Sequence, residues 1–228
     1  RYGLPFVSTQ LKLGPNASEA AAREARYDFL LDTAAQYQAP VVTAHHLDDL
    51  VETVALNLVR GTGWRGLAVL NRPGVERPLL GWRKADIRAY ALAHRLEWVE
   101  DETNASDRYT RNRLRRCIQR LLTAEQAAQI TSLRDWQLAL RHTINDEVQH
   151  LLPQFAAERY GFIMIDEASA QELLGAMIMW AGAPRPTRPR LERAVLAIKT
   201  ARPGSRHVVG DGVYLQFSPR QFTVEVVQ

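Results

Sequence analysis

The stretch Thr43-Ala44-His45-His46-Leu47-Asp48-Asp49-Leu50-Val51-Glu52-Thr53 is the most informative part of the sequence. It overlaps a brief apolar run, residues 39–44, that is typical of a buried parallel strand, and it opens a predicted helix over residues 47–59. Another helix is predicted upstream, ending near residue 38. Helix, strand, helix in this order predicts an α/β fold with a partial doubly wound parallel sheet. Such sheets bind ligands beyond the carboxyl ends of their strands, so residues 43–49 lie where a ligand is expected.

The rest of the chain predicts further elements around this unit. Asn16 or Ser18 can cap the upstream helix, and loose alternation over Leu4–Leu13 predicts a strand before it. The other predicted elements are an extended Arg77–Leu80 segment, a helix over Lys84–Arg95, a strand at Glu97–Glu100, helices from Tyr109 to about residue 158, a strand from Phe162 to Ile165, helices over about 168–181 and 190–201, and a hairpin around Gly210–Gly212. We therefore expect an α/β domain over residues 1–120, a helical connection over 121–158 and a small α+β domain over 159–228.

The predicted helix after the strand carries a group of ionisable side chains. His45, Asp49 and Glu52 fall at i, i+4 and i+7, so a helix would display them on one face. The apolar residues are expected on the opposite face: Leu47, Leu50, Val51, Val54 and Leu58. Acids beside a phosphate-handling crevice can hold Mg²⁺ or a substrate ammonium. The polar side of any amphipathic helix has a similar pattern, so spacing alone leaves both interpretations open.

Charge and cysteine content narrow the class of protein. The net charge is +4 over 228 residues, but residues 60–120 carry 14 basic and seven acidic side chains, a local charge of +7. A local basic field indicates a polyanionic partner such as nucleic acid, although the excess of arginine over lysine also fits coding bias. Cys117 is the only cysteine, which excludes an internal disulfide and favours a cytoplasmic protein. No apolar run is long enough to span a membrane.

Six blocks across residues 22–115 resemble one known family in order and spacing. They are Ala22–Tyr27, Thr43–Thr53, Arg60–Leu67, Arg77–Leu80, Glu100–Asn104, and Arg111-Asn112 with Arg115. They are similar to the N-type adenine-nucleotide α-hydrolases of the PP-loop ATPase superfamily, in the branch of the tRNA(Ile)-lysidine synthetases. The family's Ser-Gly-Gly-x-Asp-Ser phosphate loop is absent, and Gly61-Thr62-Gly63 follows the wrong element to replace it. Because the chain begins with Arg1, we interpret it as a fragment or processed form and expect it to be inactive alone.

The resemblance implies an ATP-dependent ligase. Such an enzyme joins free L-lysine to C2 of the wobble cytidine 34 in a tRNA(Ile) with a CAU anticodon, through an adenylated tRNA, and releases AMP and diphosphate. Residues 159–228 loosely resemble the family's accessory tRNA-contacting domain. Two alternatives stay open: a tRNA-binding fragment without catalysis, and another PP-loop tRNA-modifying enzyme such as a thiolase, which the lone Cys117 disfavours. The oligomeric state, including a homodimer, is also open.

The resemblance also implies roles for individual residues. The catalytic group is His45, Asp48, Asp49 and Glu52, with Asp49 and Glu52 recognising lysine or Mg²⁺. The residues expected to bind ATP are Arg23, Arg26, Thr43, His45, Gly61 and Gly63. The residues expected to bind tRNA are Arg108, Arg111, Asn112, Arg115 and Arg116. From the residues alone, Arg23 and Arg26 also fit a solvated helix face, and the arginines of residues 108–116 also fit ion pairs with nearby acids.

Overall fold

A computed structural model describes residues 3–14, 18–99, 118, 122–155 and 157–227 of the chain. The chain divides into two compact units, Arg1–Arg134 and Asp135–Gln228. The elements are, in chain order, α1 (Glu19–Gln36), β1 (Val41–Val42), α2 (Leu47–Val59), a 3-10 helix (Trp64–Leu67), β2 (Val75–Glu76), α3 (Lys84–Ala93), α4 (Ala124–Phe155), α5 (Arg159–Met164), α6 (Glu167–Trp180), α7 (Arg188–Thr200), β3 (Arg206–Gly210), β4 (Val213–Phe217) and β5 (Phe222–Val226). The division between the units falls within α4.

The first unit contains a short parallel sheet flanked by helices. Strands β1 and β2 pair in parallel, with Val41 opposite Val75 and Val42 opposite Glu76. The Thr43 N–H donates to the Glu76 carbonyl at 3.0 Å, so the two strands end side by side. Helix α1 precedes β1 and α2 follows it, as the sequence predicts. The α/β prediction is confirmed, because the short parallel sheet of the first unit is followed by a long helix and a small antiparallel sheet.

The helices of the first unit follow their predicted signals closely. Ser18 Oγ accepts the Ala21 N–H at 3.1 Å, which confirms one of the two predicted caps of α1. Helix α2 buries Leu50 and Val54 against Val69, and the apolar side chains packed around them are Leu47, Leu67, Leu70, Leu80 and Ile130. The prediction for Leu58 is wrong, because the buried side of α2 ends at Leu56 and Leu58 is exposed in the last turn.

The second unit packs three helices against an antiparallel sheet of order β3-β4-β5. The central strand alternates, and its buried residues Val213, Leu215 and Phe217 meet a core contributed by the helices. The buried helix residues of this core include Phe162, Leu173, Leu174, Ile178, Leu191, Ala194, Val195 and Ile198. The predicted hairpin is confirmed between β3 and β4. Its turn requires glycine at Gly212, where φ is +76° and a Cβ would lie 2.5 Å from the Val227 carbonyl oxygen.

Several predicted strands are wrong. Residues 162–165 lie mostly within helix α5. A short apolar run fits a buried helix as well as a strand, so the sequence pattern does not distinguish them. Phe162 is fully buried and its ring packs edge-to-face with Phe222. Residues 4–13 and 97–99 form no strand and are largely exposed, so their β-forming composition has no partner strand to pair with in the described part. The segment after Arg77 is a turn rather than extended, closed by Leu80 N–H donating to the Arg77 carbonyl at 3.1 Å. Strand β5 was not predicted.

No helix in the described ranges combines the length and apolar character needed to cross a membrane. The assignment of residues 1–120, 121–158 and 159–228 to three functional parts remains a prediction.

Candidate active site

The candidate site begins where β1 and β2 end side by side. Thr43 follows β1, and its hydroxyl lies 2.8 Å from Nδ1 of His45. Arg77 follows β2, and its Nη1 donates to the Val75 carbonyl at 3.1 Å. Because the carboxyl ends of parallel strands meet at one edge of a sheet, this imidazole and this guanidinium belong to the same edge.

The first turn of α2 follows this edge and is held by a capping hydrogen bond. His46 is the N-cap residue, and its backbone N–H donates to Asp49 Oδ2 at 3.0 Å. The Asp49 carboxylate therefore sits at the positive end of the helix dipole, where negative charge is stabilised. His46 Nδ1 lies 3.4 Å from the same Asp49 oxygen. The Asp49 side chain is 22% exposed, so it remains reachable from solvent.

Asp48 is almost completely buried, at 8% exposure, with its Oδ2 3.8 Å from His46 Nδ1. Its Oδ1 accepts a hydrogen bond from Arg83 Nε at 3.1 Å, and its Oδ2 accepts the Lys84 N–H at 2.7 Å. Burial on its own would raise the pKa of Asp48. The Lys84 N–H, the Arg83 hydrogen bond and charge, and the nearby His46 outweigh burial, so the pKa of Asp48 lies below its ordinary value.

The predicted grouping of acids on α2 needs correction. His45 lies before the helix, which begins at Leu47, so His45, Asp49 and Glu52 do not share a helix face. Glu52 is 1% exposed, whereas Asp49 is reachable, and the two acids that share the buried side at i, i+4 are Asp48 and Glu52. The spacing pattern places His45 on the helix, but His46 is the N-cap residue and the helix begins only at Leu47.

The two arginines of α1 are exposed, as a solvated helix face would place them. The Arg23 guanidinium lies 5.1 Å from the centre of the buried Tyr27 ring. Arg72 lies over the same ring at 4.4 Å and pairs with Glu24 at 2.5 Å. This cluster fixes the orientation of Arg23 through a cation–π contact.

The glycine-rich segment after α2 is tied back to the helix. Asn57 Nδ2 donates to the Gly66 carbonyl at 2.6 Å, and Gly61 adopts a φ of +70°. Gly63 caps the 3-10 helix, in which the Arg65 guanidinium lies 4.6 Å from the Trp64 ring centre. The segment is therefore an ordered turn that leaves α2, rather than a loop between a strand and a helix.

Comparison with known proteins assigns this arrangement to a family. Residues 3–122 match the PP-loop domain family. The chain belongs to this family. Its first unit therefore has the adenine-nucleotide α-hydrolase fold, and PP-loop domains of this kind bind ATP.

Among curated relatives, the PP-loop chain is similar to proteins named tRNA(Ile)-lysidine synthase. It is 35% identical to that of Aromatoleum aromaticum over 211 residues, which is 86% of this chain and 48% of the relative. It is 36% identical to that of Photorhabdus laumondii over 200 residues, 81% of this chain and 45% of the relative. It is 50% identical to that of Ralstonia nicotianae over 122 residues, 50% of this chain and 26% of the relative. The PP-loop chain spans at most about half the length of these relatives.

Two polar atoms of the PP-loop site, His46 Nδ1 and Arg77 Nε, are buried without a hydrogen bond to the described residues. His46 Nδ1 nevertheless lies between two carboxylates, 3.4 Å from Asp49 Oδ2 and 3.8 Å from Asp48 Oδ2. In the part of the chain that the structure describes, no group of three or more His, Cys, Asp or Glu side chains could hold a metal ion.

Sequence reasoning missed Arg83, which the structure joins to Asp48 across 35 residues of chain. No local spacing signals such a pair. The predicted tRNA-binding residues Arg108, Arg111, Asn112, Arg115 and Arg116 lie outside the described residues, so their roles remain predictions.

Proposed function

We propose that this PP-loop chain supplies the catalytic domain of a tRNA(Ile)-lysidine synthase that acts in the cytoplasm. The observation that carries the proposal is Asp49, a reachable carboxylate capped at the start of α2, at the strand edge where a PP-loop domain binds its nucleotide. Similarity to synthases of that name over 86% of this chain supports the same reaction.

The first chemical step is adenylation of the tRNA. The C2 carbonyl oxygen of cytidine 34 attacks the α-phosphorus of ATP, and the bond from that phosphorus to the bridging oxygen breaks to release diphosphate. We assign nucleotide binding to Arg23, Arg26, Thr43, His45, Gly61 and Gly63. The cationic and N–H groups in this set suit phosphate oxygens, and His45 is already oriented by its 2.8 Å contact with the Thr43 hydroxyl.

The second step transfers lysine. The neutral ε-amine attacks C2, the C2–O bond breaks, and AMP leaves. The amine arrives as an ammonium and must lose a proton. A carboxylate that first binds the ammonium and then accepts its proton fits this step. We assign this role to Asp49, with the buried Glu52 adding negative potential one turn further along. Mg²⁺ would neutralise phosphate charge when bound, and of its two expected ligands only Asp49 is reachable, since Glu52 is 1% exposed.

We assign tRNA contact to Arg108, Arg111, Asn112, Arg115 and Arg116, and accessory contact to residues 159–228. Arginine neutralises backbone phosphates, so this binding should weaken steeply with salt.

The test is incorporation of labelled lysine into tRNA(Ile) with a CAU anticodon, using ATP, Mg²⁺ and the protein as its gene encodes it. We expect incorporation that is lost in Asp49→Ala and strongly reduced in Glu52→Ala. The matched control is Asp32→Ala, which removes an exposed acid of α1 and should leave incorporation unchanged. tRNA binding without incorporation would support the noncatalytic RNA-binding alternative instead, and incorporation of sulfur would support a thiolase.

A further inference from the structure

Asp48 lies in the centre of the acidic motif, yet its carboxylate is committed elsewhere. Oδ1 accepts Arg83 Nε at 3.1 Å and lies 3.1 Å from Arg83 Nη2, while Oδ2 accepts the Lys84 N–H at 2.7 Å. Only 8% of the residue is exposed, and both carboxylate oxygens accept hydrogen bonds from other parts of the protein. A substrate ammonium or a metal ion could reach Asp48 only by breaking a buried ion pair, which is costly.

These bonds join the starts of two helices. Asp48 belongs to the first turn of α2, and Lys84 is the first residue of α3. A second link runs beside the first, since the Leu47 N–H donates to the Trp82 carbonyl at 2.9 Å. Two successive residues of α2 are therefore fastened to the segment that opens α3. Arg83 itself is held by Asp86, whose Oδ2 accepts the Arg83 N–H at 3.3 Å.

Asp49, the residue assigned to the lysine step, lies directly beside this junction. His46 and Asp49 lie on either side of Leu47 and Asp48, and the His46 N–H to Asp49 bond closes the same turn. The turn cannot shift relative to α3 while both links hold. Groups that hold a reacting side chain in place commonly matter almost as much as the side chain itself.

We propose that Asp48 and Arg83 form a positioning pair, which fixes the first turn of α2 so that Asp49 faces the substrate. Neither member of the pair contacts substrate. This inference rests on the proposed ligase function, and it assigns Asp48 a supporting role where the sequence motif predicts a catalytic one.

The pair depends on geometry as well as charge. Arg83 presents two nitrogens to one carboxylate oxygen, and a planar guanidinium holds that arrangement. Arg83→Lys keeps the charge but offers a compact point charge on a flexible stem, so it should restore function only in part. Arg83→Met removes the charge and leaves an apolar stem of similar length.

The test combines kinetics with amide hydrogen exchange on the protein as its gene encodes it. The variants are Arg83→Met, Arg83→Lys and Asp48→Asn. The matched control is Asp32→Asn, which makes the same chemical change as Asp48→Asn at an exposed carboxylate of α1 that has no assigned role. The readouts are kcat and KM for lysine and ATP, and exchange of the Lys84, Leu47 and Asp49 amides.

We expect Arg83→Met and Asp48→Asn to lower kcat about 10- to 100-fold, with Arg83→Lys in between and the KM for ATP little changed. Exchange at Lys84, Leu47 and Asp49 should accelerate in Arg83→Met and stay unchanged in Asp32→Asn, which should also keep the parent kcat.

Parent-like kcat in Arg83→Met would overturn the inference. If Asp48→Asn were then completely inactive, that result would place Asp48 on the substrate. If the parent protein itself forms no lysidine, the proposed function fails. Exchange then decides the inference separately, since unchanged protection of the α2 amides in Arg83→Met would show that the pair fixes nothing.

Discussion

Replacing Arg159 should destabilise the second unit strongly. Its guanidinium is buried, with 8% of the residue exposed, and donates to the carbonyls of Ile198 at 2.8 Å, Ala201 at 2.7 Å and Ser218 at 3.2 Å. The Ile198 and Ala201 carbonyls lie at the C-terminal end of α7, where a positive charge is favoured by the helix dipole. Arg159 thus ties α5 to α7 and to the turn before β5.

The expected loss can be worked from these bonds. Each hydrogen bond from a charged donor contributes about 1.5–3 kcal/mol, so three of them would give roughly 5–9 kcal/mol if they were additive. Removing the guanidinium also removes its desolvation cost, which reduces the net loss for a buried charged group to about 3–5 kcal/mol. A domain is usually stable by only about 5–15 kcal/mol, so Arg159→Met should leave the second unit marginal.

Native-state hydrogen exchange of the β4 amides measures this loss directly, because the central strand opens only when the sheet does. The control is Arg202→Met, an exposed arginine in the turn after α7, which should change the opening free energy by less than about 0.5 kcal/mol. A loss below about 1 kcal/mol in Arg159→Met would refute the reasoning, because it would mean that the three carbonyls find other partners at little cost.

Three further predictions concern pH and backbone conformation. The pKa of Asp48 is lowered in the folded protein, so Asp48 stabilises the fold above its ordinary pKa of 3.8. This contribution is lost as pH falls through the folded pKa. The urea midpoints of Asp48→Asn and the parent should therefore converge below about pH 4. Burial, with a smaller contribution from the Arg193 charge, lowers the pKa of His207 below its ordinary value of 6.5. The parent should therefore lose stability as pH falls through 6.5, and His207→Gln should lose less. Thermal melts across that pH range measure the difference. Gly212→Ala should cost about 1–3 kcal/mol because it places a Cβ in the left-handed region against the Val227 carbonyl, and an unchanged melting temperature would contradict this.

The helices could be predicted from the sequence because their signals are local. The Ser18 side chain caps α1 three residues away, and the predicted helix over residues 47–59 coincides with α2. The strands were less predictable, since a strand exists only through its partner. β1 has two residues and β5 has five, and neither length nor composition indicates which segment will pair. Phe162 was misassigned for the same reason, because an apolar run fits any buried surface.

The candidate site shows the same limit at the level of side chains. The motif assigns His45, Asp48, Asp49 and Glu52 to one segment, because they are close in sequence. It could not separate their environments, since Asp48 is buried by Arg83 from 35 residues away. Because His46 is the N-cap, His45 lies outside α2, and spacing alone does not indicate which residue becomes the cap.

This separation of environments bears on how the three acids of α2 can share a reaction. Two adjacent free carboxylates would repel each other and would raise each other's pKa. Arg83 removes that problem by neutralising Asp48, which leaves Asp49 as the reachable acid at the N-terminal end of α2. In the proposed reaction, the buried Glu52 lies one turn below the ammonium bound at Asp49. Under the proposed function, a motif in which Asp49 alone is reachable would bind a single cationic amine.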